Sequence, residues 1–136
     1  MSLLLRGKTI FMLEDDVLNS AIIRTILREN GARAPYEFWG DSTLKKMTEY
    51  PFPLDMILLD LMLPGEAQGH DVFTAIKQHD QLKSIPVVAV SAADPDVEIP
   101  HTKAMGFSGF ICKPVNRFEF PKQLLSIFEG RAIWGR

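Results

Sequence analysis

The chain has one cysteine, no long apolar run and no excess of charge of either sign. Each shortage removes a class of explanation. Cys112 alone cannot form an internal disulfide, so the fold cannot rest on covalent staples. No apolar stretch approaches the roughly 20 residues needed to cross a bilayer. No charged start followed by an apolar run and a cleavage site marks a secretory signal, and a cytoplasmic location is the expectation. Lys and Arg total 15 against 17 Asp and Glu, a formal net charge of −2. That balance gives no global attraction to a nucleic-acid backbone or an anionic membrane. Neither an internal repeat nor a low-complexity segment is found. What remains is 136 residues, 46% of them apolar. This is one domain's length, enough to bury roughly 68% of the unfolded chain's surface in a core of its own.

Short apolar runs alternate with helical periodicity, as in a parallel sheet covered on both faces. Five runs are read as strands: Thr9 to Leu13, Ala34 to Trp39, Met56 to Leu59, Val87 to Ser91 and Gly106 to Ile111. Pro35 has no amide hydrogen, which puts the second run at a sheet edge. Between them the first helix spans Leu18 to Asn30, with Leu18, Ile22, Ile26 and Leu27 as its apolar stripe and Asn30-Gly31 as its stop. Asp41 or Ser42 caps a helix to about Tyr50, and a third runs from His70 or Asp71 to His79. Asp96 to Met105 is helical but shortened or kinked by Pro100. Asn116 to Phe128 closes the domain, with Leu124, Leu125 and Phe128 facing inward; its start is either a capping box at Asn116 and Glu119 or a first turn near Phe120 that suits Pro121. The expected architecture is α/β: a flavodoxin-like, doubly wound five-stranded parallel sheet in the order 2-1-3-4-5, with helices on both faces. Residues 1–7 are an N-terminal extension or expression remnant, 8–128 the domain and 129–136 a short tail without an output domain, in which Trp134 is frayed.

The polar residues fall where these runs stop. The first strand ends in Glu14-Asp15-Asp16, the third in Asp60, the fourth in Ser91 and the fifth close to Lys113. Open α/β sheets bind ligands at the carboxyl edge of the strands, near the switch in strand order, so Glu14, Asp15, Asp60, Ser91 and Lys113 converge on one basin. Neighbouring carboxylates repel by about 4 kcal/mol per pair at an effective dielectric near 20, which calls for a cation or a raised pKa. All-oxygen ligation suits Mg²⁺. With an ammonium and a hydroxyl added, the basin holds the parts for phosphoryl transfer, and Asp60, ending a rigid strand, is the nucleophile.

At these residues the sequence resembles the receiver domain of two-component response regulators, from Lys8 to about Phe128. Ile10 to Asp16 resembles the family's first strand with its acidic pair, which implies Asp15 as a direct Mg²⁺ ligand and Glu14 as one acting largely through water. Ile57 to Gly65 resembles the phosphoacceptor segment, implying Asp60 as the phosphorylation site and the Met62 backbone carbonyl as a metal ligand. Val88 to Ala92 carries the sensing hydroxyl, Ser91. Ile111-Cys112-Lys113-Pro114 matches the lysine motif and implies a cis Lys113-Pro114 peptide, and Phe110 falls at the aromatic switch position. The loop from Pro64 to Gly69 is one residue longer than the commonest family form, and Pro100 and Pro121 are unusual in the helices bordering the output face.

Taken singly, these residues have plainer readings. Strand-end acids cap helices, Asp16 is a first-turn residue, Phe110 is a core aromatic and Cys112 a small buried filler whose pKa Lys113 could lower. His70, His79 and His101 have no close metal-ligand spacing and are expected at exposed helix or loop positions.

The resemblance implies a single-domain response regulator, not an enzyme beyond its own phosphotransfer and slow self-dephosphorylation. A histidine kinase or phosphotransfer protein phosphorylates Asp60 with Mg²⁺ and Lys113. Ser91 then moves to the phosphoryl group and Phe110 turns inward, which switches a face that binds a protein effector or a second copy of the chain. Met62 and Ala93, unable to orient attacking water, make dephosphorylation slow. Alternatives are a receiver-like scaffold independent of phosphorylation and a haloacid-dehalogenase-like phosphatase, which would need an acid where Met62 stands. In a flavin binder of this fold, Glu14 to Asp16 would repel the phosphate.

Overall fold

The structure, a computed structural model, describes residues 3–62 and 69–135. The elements follow in the order β1 (Ile10–Leu13), α1 (Val17–Glu29), β2 (Tyr36–Glu37), α2 (Thr43–Glu49), β3 (Met56–Leu59), α3 (Gly69–Gln78), β4 (Val87–Ser91), α4 (Pro95–Met105), β5 (Gly109–Cys112), α5 (Glu119–Phe128) and β6 (Ile133–Gly135). Every strand pairing is parallel, in the order β2-β1-β3-β4-β5-β6. The flavodoxin-like architecture is as expected, with β2 at an edge.

Strands β1, β3 and β4 are buried along their whole length because helices cover both faces. Alternate residues supply two separate cores. Ile10, Met12, Met56 and Leu58 pack with Ile23 and Leu27 of α1 and with Phe120 and Leu124 of α5. On the opposite face Phe11, Leu13, Ile57 and Leu59 pack with Met47 of α2 and with Val72, Phe73 and Ile76 of α3.

Four expectations are corrected. The sheet has six strands rather than five: residues expected to fray form β6, which pairs Gly109 with Ile133 and Phe110 with Trp134. Gly109 permits this, since a Cβ there would lie 2.9 Å from the Ile133 carbonyl oxygen. The packed domain also reaches back before Lys8. Leu5 is fully buried in the α1/α5 core, and its N–H donates to the Asn30 carbonyl at 2.9 Å; burial of such a side chain contributes about 2 kcal/mol. In α1 the buried positions are Ser20, Ile23, Ile26 and Leu27, while Leu18 and Ile22 are 72% and 50% exposed. Helix α4 is not shortened by Pro100: it runs from Pro95 to Met105, although proline has no N–H to give the carbonyl four residues earlier. Asp94 caps it by accepting from the Asp96 N–H at 3.0 Å, Pro95 fits its first position, and Thr102 is its only buried residue.

Smaller shifts occur at ends. Asn116 accepts from the N–H groups of Phe118 and Glu119, both at 2.9 Å, so it caps the turn leading into α5, and Pro121 falls in the first helical turn. Residues 63–68, most of the loop expected to be long, lie outside the described residues.

Candidate functional site

The sheet register delivers the acidic residues to one end of β1 and β3. Leu13 pairs with Leu59, and the ladder continues one residue further, where the Asp60 N–H donates to the Leu13 carbonyl at 3.1 Å. Across the sheet Ser91 pairs with Cys112, and the Lys113 N–H donates to the Ser91 carbonyl at 3.0 Å. The Lys113-Pro114 peptide is cis. Strand ends thus hold Glu14, Asp60, Ser91 and Lys113 on rigid backbone.

Lys113 Nζ reaches Glu14 Oε2 at 2.7 Å and Asp60 Oδ2 at 3.2 Å. The other Asp60 oxygen, Oδ1, accepts from the Met62 N–H at 3.0 Å. Glu14, 1% exposed, also accepts from the Asp16 N–H at 3.2 Å and from the Asn19 side-chain amide at 3.0 Å. Asn19 was not singled out from the sequence; five residues beyond Glu14, it is brought back to it by the first turn of α1. Asp16 caps that helix by accepting from the Asn19 N–H at 3.0 Å.

Burial pushes the Asp60 carboxyl up to about 6; the Met62 N–H and the Lys113 charge work against it, while Glu14 adds to it. Burial also works against the Lys113 ammonium, but the hydrogen bond to Glu14 and the charges of Asp60 and Glu14 outweigh it and hold its pKa above the ordinary value. Asp60 is therefore mostly ionised near pH 7.

Glu14, Asp15 and Asp60 bring one oxygen each to within 4.8 Å of one another. Three carboxylates against one ammonium leave the cluster with surplus negative charge. An all-oxygen donor set of this kind fits a hard divalent cation such as Mg²⁺.

Ser91 is fully buried, and its Oγ accepts from the Ala93 N–H at 3.1 Å, leaving the hydroxyl hydrogen to donate elsewhere. Phe110 is also fully buried, among Ile57, Leu59 and Ala89. Met62 is 62% exposed and its thioether has no proton to transfer. Cys112 is half-buried with a free thiol.

Gly69 is a second feature not foreseen. A Cβ there would lie 2.4 Å from the Leu61 Cα and 2.8 Å from the Asp60 carbonyl oxygen. The first residue of α3 is therefore packed directly on the backbone that leaves Asp60, closer than any other residue type allows.

His101 is exposed on α4, as expected, whereas His70 and His79 are half-buried; His70 and His101 meet around Glu98, a grouping that their spacing did not foretell.

Comparisons with known proteins agree with this geometry. The family model described as response regulator receiver domain matches residues 10–125. The polar-differentiation response regulator DivK of Brucella anthropi is 29% identical over 109 residues, covering 80% of this chain and 86% of that protein. The two-component response regulator ORR7 of Oryza sativa subsp. indica is 30% identical over 106 residues, covering 78% of this chain but only 48% of that protein. Among solved structures, the chemotaxis response regulator CheY4 of Vibrio cholerae superposes with a TM-score of 0.76 at 21% identity, over 88% of this chain and 98% of that one. A response regulator structure from Chloroflexus aurantiacus gives a TM-score of 0.80 at 19% identity, over 91% and 99%. With the family model spanning most of its length, the chain belongs to the response regulator receiver domains, which are phosphoacceptor signalling domains of two-component systems rather than enzymes in the ordinary sense.

Proposed function

We propose that this domain accepts a phosphoryl group on Asp60 from a phosphohistidine of a histidine kinase or phosphotransfer protein and passes the signal to a protein effector in the cytoplasm. The observation that carries the proposal is the state of Asp60. Its carboxylate is buried at a strand end, with one oxygen on the Met62 N–H and the other on Lys113. One Asp60 oxygen forms the new O–P bond as the P–N bond of the donor breaks, and the donor imidazole departs with that electron pair. Lys113 neutralises charge on the transferring oxygens. The Ser91 hydroxyl, with its hydrogen uncommitted, donates to a phosphoryl oxygen afterwards and carries the conformational response. Phe110, buried and paired across the sheet with Ala89, is the second residue of that response.

Asp15, Asp60 and the Met62 carbonyl would hold Mg²⁺, with Glu14 acting through water. When bound, the ion supplies charge neutralisation for the phosphoryl oxygens.

The donor's docking surface is the exposed start of α1. Leu18 and Ile22 are exposed there, and Ile22 lines a groove of about 400 Å³ together with Val115 and Arg117. Such a patch directly after Asp15 and Asp16 suits an apolar helix face that presents its histidine to Asp60.

The test is incubation with acetyl phosphate and Mg²⁺, followed by intact-mass measurement. One phosphoryl increment is expected, absent in Asp60→Asn and in the presence of a chelator. An increment that survives Asp60→Asn overturns the assignment.

A further inference from the structure

We propose that His70, Glu98 and His101 form a zinc site that pins α4 to α3, separate from the acidic cluster. His70 is the second residue of α3, and Glu98 and His101 lie one turn apart on α4. His70 Nε2 is 3.2 Å from Glu98 Oε2, and His101 Nδ1 is 3.5 Å from Glu98 Oε1. The two imidazoles stack with centroids 4.3 Å apart and planes within 16°. One ligand atom from each of the three side chains falls within 4.8 Å of the other two.

Two further observations favour a ligand over a simple ion pair. His70 Nε2 is wholly buried and has no hydrogen-bond partner among the described residues, although a carboxylate oxygen lies within reach. A buried polar atom without a partner costs about 1–3 kcal/mol, and a metal removes that cost. The Glu98 side chain is only 12% exposed, and among the described residues no Lys or Arg is paired with it; its neighbours there are the two imidazoles.

The donor chemistry selects the metal. Two imidazole nitrogens and one carboxylate oxygen suit zinc and disfavour Mg²⁺ or Ca²⁺, which prefer oxygen throughout. Zinc binds such donors at about 2.0–2.2 Å, so tetrahedral ligands stand roughly 3.3 Å apart. The stacked rings point their nitrogen lone pairs nearly parallel, so binding requires the exposed His101 ring to rotate out of the stack and aim its nitrogen at the ion; water completes the fourth position. His101 is half exposed, so the ion has a path in.

The pin would act on a helix with little other anchorage. Helix α4 fully buries Thr102 alone, whereas α3 buries Val72, Phe73 and Ile76 and begins at Gly69, packed on the backbone next to Asp60. A metal joining α3 to α4 therefore fixes α4 relative to the candidate phosphorylation site.

The full chain, with Mg²⁺ in excess to occupy the acidic cluster, is titrated with Zn²⁺ against a chromophoric indicator while histidine ring resonances are followed by NMR. One equivalent is expected, with the His70 and His101 signals shifting and His79 unmoved. His101→Ala, at an exposed position that leaves the core intact, should weaken binding at least about tenfold, as should Glu98→Gln; loss of supporting outer-shell groups alone costs that much elsewhere. No stoichiometric binding overturns the proposal. So does binding unchanged by His101→Ala or abolished by Asp15→Asn, which would assign the ion to the acidic cluster.

Discussion

At about pH 8 and without divalent cations, Asp60→Asn is expected to raise the unfolding free energy by about 1–3 kcal/mol. The wild-type carboxyl, ordinarily at 3.8, stands at about 6 chiefly because it is buried. At 1.36 kcal/mol per pKa unit, ionising it in the folded state costs about 3 kcal/mol relative to the unfolded chain. Asparagine removes that cost and keeps Oδ1 as an acceptor for the Met62 N–H. It also weakens one of the two contacts of Lys113, which is why about 3 kcal/mol is an upper value.

The pH dependence gives the sharper test. Between about 4 and 6 the folded state holds a proton on Asp60 that the unfolded state has released, so wild-type stability falls as pH rises across that window. The advantage of the variant should therefore be complete above about pH 7, shrink through 6 and vanish near 4. Urea unfolding of both proteins across this range measures it. Added Mg²⁺ should stabilise the wild type more than the variant, because the folded state alone presents the assembled carboxylates. A variant less stable than wild type at about pH 8, or a difference that does not shrink on acidification, refutes burial as the force acting on Asp60.

Two other substitutions test neighbouring positions. Gly69→Ala forces the start of α3 away from Leu61 and Asp60; it is expected to cost about 2 kcal/mol or more by urea unfolding and to slow phosphorylation by acetyl phosphate. Polar residues at Met62 and Ala93, such as Met62→Asn with Ala93→Ser, should shorten the phosphoryl lifetime about tenfold or more by orienting water. A decay rate unchanged in intact-mass time courses counts against that reading.

The parts of the fold legible in the sequence were those where one physical signal dominated. Val87 to Ser91 and Met56 to Leu59 are continuous apolar runs closed by a polar residue, and the structure starts and ends both strands there. Their convergence at the carboxyl edge followed from parallel topology. Helix α1 misled because Leu18 and Ile22 fit an inward stripe by spacing, yet they lie exposed beside the site, and Ser20 and Ile23 turn inward instead. Strand β6 has only three residues and gains its stability from the open edge of β5, a partner that no local pattern reveals. The meeting of His70 with Glu98 and His101 joins two helices far apart in sequence, so spacing rules for metal ligands could not find it. Gly69 was invisible for the same reason, since its role depends on backbone that approaches from another element.

The placement of the two tryptophans has a practical consequence. Trp39 follows the edge strand β2 and packs against the α2/α3 core, while Trp134 sits in β6 at the opposite margin with the Lys103 ammonium 5.2 Å from its ring. With Trp39→Phe the remaining indole emission becomes an optical readout of one sheet margin, quenched or shifted when β6 detaches or α4 moves. Signalling at that margin could then be timed in a stopped-flow instrument without attaching a dye.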